Sequence, residues 1–203
     1  MRRMVLVMLL ASVAPIARAA DGDSVESITQ AVYDVISGPA GIRDWARFRS
    51  LFAEGARLIS MRVTAEGAAP NVMTPDDYSQ RAGASFEKNA FYESELSRRV
   101  EMFGNIAHVF STYESRRAPG EKPFARGINS FQLVKDGKAW KVMTILWDQE
   151  REGSPLPQKY LVPSAPAKVA NSRPAPAEAG APGPAGLRII HADISRPAPA
   201  GAE

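Results

Sequence analysis

The periodicity of apolar residues changes near residue 90, and this change constrains the fold more than any other feature of the chain. Apolar residues recur at helical spacing before that point and alternate with polar residues after it. Two dipeptides that favour two-residue hairpin turns, Gly104-Asn105 and Asp136-Gly137, divide the alternating region. We therefore predict an α+β domain over residues 20–162, in which three N-terminal helices pack into a strongly curved antiparallel sheet.

Local signals predict where these elements begin. Asp23 and Glu26 have the spacing of a capping box at the start of the first helix. Thr74 is expected to cap the third helix, which has Pro75 at its first position. Residues 58–63 are expected to form a short strand before that helix.

The first hairpin turn predicts which side chains of its two strands face the core. It places Arg98 opposite Ser111 and Leu96 opposite Tyr113 on the apolar face, which must pack against the helices. We interpret the acidic residues of the other face as solubilising charge. These residues are Glu93, Glu95 and Glu101. A register shift of one residue would exchange the two faces, so the assignment depends on the turn.

The second hairpin turn predicts strands with large apolar side chains on both faces. The core side then carries Asn129, Thr144 and Asp148, and the outer side carries Ile128, Ile145 and Trp147. Apolar groups on an outer face predict a homodimer formed through that face. The alternative is a single twisted sheet edge that tolerates these three outer residues.

A small-molecule pocket is predicted on the core side of the sheet, because a few polar groups converge there among apolar ones. These groups are Arg98, Ser111, Tyr113, Asn129, Thr144 and Asp148. An arginine on a core face must pair with a carboxylate or meet solvent in a cavity. Asp148 is one possible partner of Arg98, and a ligand is the other. Tyr113 and Asn129 are also open to interpretation as satisfied core residues.

The excess of basic over acidic residues comes from the first nineteen residues. The chain has 25 basic and 22 acidic residues, and Arg2, Arg3 and Arg18 account for the whole excess. Without these three residues, no basic excess remains to support nucleic-acid recognition. The absence of cysteine excludes a disulfide framework, a thiolate zinc site and a cysteine nucleophile. No cofactor or metal ion is expected.

Both ends of the chain differ in composition from the domain. A basic start, a short apolar run and Ala17-Arg18-Ala19 have the order of a secretory signal peptide over residues 1–19. We predict cleavage near Ala19 and a periplasmic or secreted protein with no membrane span. Residues 163–203 are rich in Pro and Ala, which predicts a disordered tail. Its apolar segment 187–194 either stays in that tail or adds a strand to a sheet edge.

Two stretches of the alternating region carry a family resemblance. They are Phe91-Tyr-Glu-Ser-Glu-Leu-Ser-Arg-Arg-Val100 and the closing run that ends Leu146-Trp147-Asp148. With the three preceding helices they resemble the NTF2-like (SnoaL-like) superfamily over about residues 24–152. The resemblance implies a cone-shaped α+β fold, often dimeric, with a pocket inside the curved sheet. The members of that family include isomerases, dehydratases, cyclases and binding modules, so the fold does not transfer a function.

Ketosteroid isomerase, a member of that family, allows a comparison by residue. Tyr33 and Asn129 resemble its two oxyanion donors in position and could donate hydrogen bonds to a developing oxyanion. Ser60 stands near the position of its general-base Asp, and serine cannot abstract an α-proton at neutral pH without a neighbouring base. We therefore do not expect that isomerisation. Family dehydratases use a His–Asp pair in the pocket, whereas His108 is predicted to point outward, opposite Glu101.

Two functions of different classes remain. In the first, the cone pocket binds a small hydrophobic or amphipathic molecule, or a partner, without chemistry. In the second, the protein is a SnoaL-like or ketosteroid-isomerase-like enzyme that acts on a small hydrophobic substrate. Its pocket donors and acid or base would then be Tyr33, Arg98, Tyr113, Asn129 and Asp148.

Overall fold

The computed structural model describes residues 20–162 of the chain. The predicted signal peptide, the predicted tail and the apolar segment 187–194 lie outside the described residues. No helix within residues 20–162 is long and apolar enough to cross a membrane.

The described part of the chain consists of helices packed on one sheet. The helices are α1 (Val25–Ile36), α2 (Trp45–Ser50), α3 (Pro75–Phe86) and a short 3-10 helix (Gln158–Tyr160). The strands are β1 (Phe52–Thr64), β2 (Gly67–Met73), β3 (Tyr92–Phe103), β4 (Ile106–Arg116), β5 (Ala125–Asp136) and β6 (Ala139–Gln149). They form a six-stranded sheet in the order β2-β1-β6-β5-β4-β3.

Two features of this sheet differ from the prediction. β1 runs parallel to β6 while the other neighbouring pairs are antiparallel, so the sheet is mixed rather than wholly antiparallel. β2 is absent from the prediction, and β1 is longer than the predicted strand over residues 58–63. Gly67, Ala68, Ala69 and Pro70 of β2 have low strand propensity, and pairing with β1 overrides it.

The start of α1 lies one residue beyond the predicted cap. Ser24 is the N-cap, and its Oγ accepts from the backbone N–H of Ser27 at 3.0 Å. The Ser27 hydroxyl accepts from the Ser24 backbone N–H at 2.9 Å, which completes the capping box. The prediction of Asp23 with Glu26 is therefore wrong, because the hydroxyl pair satisfies these end donors instead. The predicted cap of α3 at Thr74 is confirmed.

The core lies between the helices and one face of the sheet. α1 contributes Ile28 and Tyr33, and the sheet contributes Val109, Phe131 and Val142, each at most 1% exposed. Burial of these apolar groups is the main force that holds the helices on the sheet. The predicted α+β class is confirmed, with helices packed on one face of a single sheet.

One extra residue in β3 exchanges the predicted inner and outer faces over the part of that strand farthest from the turn. The register is as predicted from the turn to the Ser97–Thr112 pair, and His108 pairs with Glu101 as predicted. Beyond that point Glu95, not Leu96, lies opposite Tyr113, so β3 contains a bulge. An inserted residue exchanges the two faces, and it turns Glu93 and Glu95 towards the core. Their interpretation as solubilising charge is wrong.

The predicted faces of the second hairpin are also partly wrong, because β6 contains a bulge. Its strands pair as Asp136 with Ala139, two positions from the predicted register, which leaves the faces near the turn unchanged. A further shift between the Leu133–Val142 and Gln132–Thr144 pairs adds one residue to β6. Beyond this bulge the faces of β6 are exchanged relative to the prediction.

The 3-10 helix lies across the outer face of β3 and β4. Thr112 Oγ1 donates to the Tyr160 carbonyl at 2.7 Å, and Ser97 Oγ donates to the same oxygen. The Tyr160 ring packs on Phe110 with ring centroids 5.1 Å apart. Thr112 and Ser97 are buried as a result, so part of the outer face is covered by the chain itself.

Candidate binding cavity

A cavity of about 330 Å³ lies between the helices and the inner face of the sheet. Its walls are mainly aromatic and aliphatic. The aromatic wall residues are Phe48, Tyr78, Phe86, Phe91, Tyr113, Phe124, Phe131 and Trp147. The polar wall residues are Ser85, Glu93, Ser115, Asn129 and Gln149. An apolar cavity with a few convergent polar groups is the usual form of a small-molecule site.

Glu93 is the charged residue of this wall. Its Oε2 accepts from Ser115 Oγ at 2.8 Å, and its Oε1 accepts from Asn129 Nδ2 at 3.3 Å. Burial raises the pKa of the Glu93 carboxyl to about 7, although these two hydrogen bonds act in the opposite direction. The carboxyl can therefore exchange a proton near neutral pH.

A second carboxylate on β3, Glu95, has its own cation. Arg98 Nε donates to Glu95 Oε2 at 2.7 Å, and the Glu95 side chain is 10% exposed. Ser111 Oγ donates to the other carboxylate oxygen. The partner of Arg98 is thus Glu95, brought inward by the bulge in β3, and not the predicted Asp148.

Tyr33 connects the two carboxylates through a chain of hydrogen bonds. Its hydroxyl lies 2.6 Å from Ser111 Oγ, and Asn129 Nδ2 donates to it at 3.1 Å. Because the Ser111 hydrogen is used on Glu95, the Tyr33 hydrogen points to Ser111. The two amide hydrogens of Asn129 are used on Tyr33 and Glu93. Neither Tyr33 nor Asn129 keeps a hydrogen for an oxyanion, which corrects the predicted donor role.

The raised pKa and the burial of Tyr33 indicate a structural role rather than a role in proton transfer. Burial raises the pKa of its hydroxyl well above the ordinary value of a tyrosine, and the charge of Glu93 acts in the same direction. Tyr33 is 1% exposed and lies behind the cavity wall rather than in it. It therefore holds Ser111 and Asn129 in place.

Tyr113 lies in the cavity wall beside Glu93. Burial raises the pKa of its hydroxyl, with a further contribution from Glu93, while a hydrogen bond with Gln149 acts to lower it. Gly127 leaves room for this ring, because a Cβ there would lie 2.8 Å from the Tyr113 hydroxyl oxygen. The Tyr113 hydroxyl therefore stays protonated and can take part in hydrogen bonds, while Glu93 is the group of this pair that exchanges a proton near neutral pH.

Of the predicted site residues, Tyr113 and Asn129 line the cavity, whereas Tyr33, Arg98 and Ser111 are not among its wall residues. The remaining three, Thr144, Asp148 and Ser60, lie away from it. Thr144 and Asp148 are on the outer face, because the extra residue in β6 reverses their side. Asp148 is paired with Arg151, whose Nη1 donates to Oδ1 at 2.7 Å. Ser60 accepts a hydrogen bond from Asn71 Nδ2 at 3.2 Å on the β1–β2 hairpin.

The bulge in β6 also relocates two residues of the predicted dimer face. Ile145 and Trp147 line the cavity, and Ile128 stays on the outer face opposite Thr112 and Asp148. The face proposed for dimer formation is therefore less apolar than the sequence indicates, and the dimer itself stays a prediction.

The cavity residue that sequence reasoning missed is Glu93. It lies two residues after Phe91 and, like Glu95, alternates with exposed Ser94, so the local pattern alone resembles a wet strand face. No local signal marks the inversion, because Leu96 continues the apolar alternation of Val100 and Met102 along the strand. Among residues 20–162, no group of His, Asp and Glu is placed to hold a metal ion.

Comparison with known proteins adds similarities of fold. No family model matches the sequence, and no curated protein matches it. A protein of unknown function from Mycobacterium tuberculosis is 13% identical with a TM-score of 0.49, over 63% of this chain and 70% of that one. An NTF2-like protein of unknown function from Methylobacillus flagellatus is 14% identical with a TM-score of 0.42, over 63% and 95%. A putative ketosteroid isomerase from Shewanella frigidimarina is 12% identical with a TM-score of 0.42, over 60% and 91%.

Proposed function

We propose that this domain binds a small molecule with an apolar body and one polar end inside the cavity. The observation that carries the proposal is an aromatic cavity of about 330 Å³ whose wall contains a carboxyl group, that of Glu93. This volume is at the lower end of the range for ligand pockets, roughly 300–1,000 Å³. A ligand with one or two rings matches that size.

The walls support the orientation of such a ligand. Rings from α3, from the segment before β3 and from β6, such as Phe86, Phe91 and Trp147, can cover an apolar body. Glu93, Ser115 and Asn129 form the polar side of the cavity and are already held by their hydrogen bonds. Preorganised polar groups reduce the entropy that binding costs.

A thermal-shift experiment with a cavity-filling variant tests this proposal. The probes are 2-naphthylmethanol, indole-3-ethanol and 4-phenylbutanol, which differ in shape but share an apolar body and a hydroxyl. We expect at least one probe to raise the Tm of the wild type, because a ligand that binds the folded state stabilises it. Ala82→Phe places a ring in the cavity and is expected to abolish that rise.

The matched control is Ala84→Phe, which makes the same change at an exposed position of the same helix. It is expected to keep the ligand-induced shift. The proposal fails if no probe raises the wild-type Tm, or if the two variants respond alike.

The second function, an acid–base enzyme, is supported by the same Glu93. A carboxyl with a pKa of about 7 in a water-poor cavity can take up and release a proton, and the Tyr113 hydroxyl lies in the same wall. The test uses 2-tetralone in D₂O, with exchange of its α-hydrogens followed by NMR. Acceleration by the wild type that is lost in Glu93→Gln supports the enzyme, and exchange at the solvent rate in both supports binding alone.

A further inference from the structure

We infer that the ligand of this cavity carries an ammonium group, which the Glu93 carboxylate and neighbouring aromatic rings hold. The inference rests on the proposed binding function and names the chemical class of the ligand. It follows from three properties of the cavity: its charge, its hydrogen-bonding capacity and its aromatic walls.

The described residues of the cavity wall include a carboxylate and no positively charged side chain. Glu93 is the one charged residue among the described residues that line it. Within residues 20–162 no ion pair to Glu93 is described, whereas Glu95, two residues along the same strand, is paired with Arg98. A buried carboxylate is costly unless a cation or several donors compensate its charge. A cationic ligand would supply the missing partner.

The Glu93 carboxylate offers acceptor capacity to the cavity, and the donors bound to it have no further hydrogen for a ligand. Ser115 uses its hydroxyl hydrogen on Glu93, and Asn129 uses its amide hydrogens on Glu93 and Tyr33. Each carboxylate oxygen thus accepts one hydrogen bond and keeps capacity for another. A ligand that bonds here must bring N–H or O–H donors. An ammonium group brings donors and positive charge together.

Aromatic groups surround the same carboxylate. Tyr78 on α3 and Tyr113 on β4 lie near enough for the charge of Glu93 to raise their pKa. Phe91, which directly precedes β3 and lies two residues before Glu93, also lines the cavity. Aromatic faces attract ammonium groups, and the attraction increases when water is excluded. Aromatic rings beside a carboxylate therefore favour an organic cation over a neutral molecule of the same shape.

The other titratable groups near Glu93 do not supply a competing cation. They are Tyr33 from α1, Tyr78 from α3 and Tyr113 from β4, whose raised pKa values keep their hydroxyls uncharged at neutral pH. On β3 the Arg98 guanidinium is already paired with Glu95. The pKa of Glu93, about 7, means that the carboxylate form increases as the pH rises from 6 to 8. Aliphatic amines resemble lysine and stay protonated over this range. Amine affinity is therefore expected to rise from pH 6 to pH 8.

Calorimetric titration with a matched pair of probes tests the inference. The probes are 2-naphthylmethylamine and 2-naphthylmethanol, which share one apolar body and differ in charge. At pH 8 we expect the amine to bind the full chain about tenfold more tightly than the alcohol, a preference of the size expected for one cation–π and ion-pair contact. At pH 6 the preference is expected to shrink.

Two variants assign the preference to the cavity. Glu93→Gln is expected to remove it while the alcohol still binds, and Glu101→Gln, on the exposed end of β3, is expected to retain it. The wild-type pH profile gives an independent readout should Glu93→Gln fold poorly. Alcohol binding without any preference for the amine, or a preference that Glu93→Gln retains, would overturn the inference and leave the proposed function standing. Failure of both probes to bind counts against both.

Discussion

At the scale of single residues, the buried Glu93 carboxyl determines the charge and the proton exchange of the cavity. Glu93 receives hydrogen bonds from Ser115 and Asn129 on two neighbouring strands, and its carboxyl reaches a cavity rather than bulk water. Loss of hydration outweighs those two bonds, so the neutral form is favoured up to about pH 7. The same carboxyl is central to the binding and to the acid–base chemistry proposed for this domain.

Glu93 is expected to make folding stability depend on pH. The pKa of its carboxyl is 4.5 for an ordinary glutamate, as in the unfolded chain, and about 7 in the folded protein. The folded state therefore binds the proton more tightly. The stabilisation by the protonated carboxyl is complete below about pH 4.5 and is lost as the pH rises to about 7. The loss is at most about 3 kcal/mol. Urea unfolding of wild type and Glu93→Gln at pH 5 and pH 8 measures it.

The variant is expected to gain stability relative to the wild type between these two pH values, because glutamine does not titrate. Glu101→Gln serves as the control, since its side chain is exposed. An equal difference between wild type and Glu93→Gln at both pH values would show that the folded carboxyl titrates normally.

At the level of elements, two β-bulges decide which side chains enter the cavity. The bulge in β3 brings Glu93 and Glu95 inward, and the bulge in β6 brings Ile145 and Trp147 inward. Each inserts one residue, and each exchanges the faces of all positions beyond it. The cavity wall therefore depends on two local irregularities rather than on the regular alternation of the strands.

The contact between the 3-10 helix and the outer sheet face is expected to contribute to stability. Thr112→Val removes the hydroxyl that donates to the Tyr160 carbonyl and keeps the shape of the side chain. We expect a loss of about 1 kcal/mol, because Thr112 is buried and the carbonyl retains Ser97 as a donor. Urea unfolding measures this loss, and hydrogen exchange is expected to become faster at residues 158–162.

Thr144→Val, also on the outer face but on β6, two strands away from β4, is the matched control. Its exchange at residues 158–162 is expected to equal that of the wild type. Unchanged exchange in Thr112→Val would mean that the 3-10 helix is held by other contacts, such as Phe110 with Tyr160.

For the whole molecule, the predicted self-association depends on the apolar part of the outer sheet face. The structure leaves Ile128 and Leu146 on the outer face, the latter 40% exposed, and the 3-10 helix covers the part of that face near Thr112. The dimer predicted from the sequence would have to use this smaller apolar surface. It stays a prediction.

Light scattering with size-exclusion chromatography tests the dimer. We expect the wild type to have twice the mass of one chain, and Leu146→Glu to have the mass of one, because a charge in the centre of an apolar contact opposes association. Val63→Glu, on an exposed part of β1, is the control and is expected to stay dimeric. A wild type of single-chain mass at high micromolar concentration would refute the prediction.

The sequence by itself determined the fold class, the three helices and the four long strands, because periodicity and turn residues act locally. The second hairpin turn also predicted that Asn129 faces the pocket, and the family resemblance implied that Tyr33 lies near it; Asn129 donates a hydrogen bond to Tyr33. The polar end of the cavity was decided only by tertiary structure. Side-chain alternation reverses after each inserted residue, and where the insertion falls depends on packing between strands and helices far apart in the chain. For that reason Glu93 reads as solvent-facing in the sequence and lies inside the cavity in the folded protein.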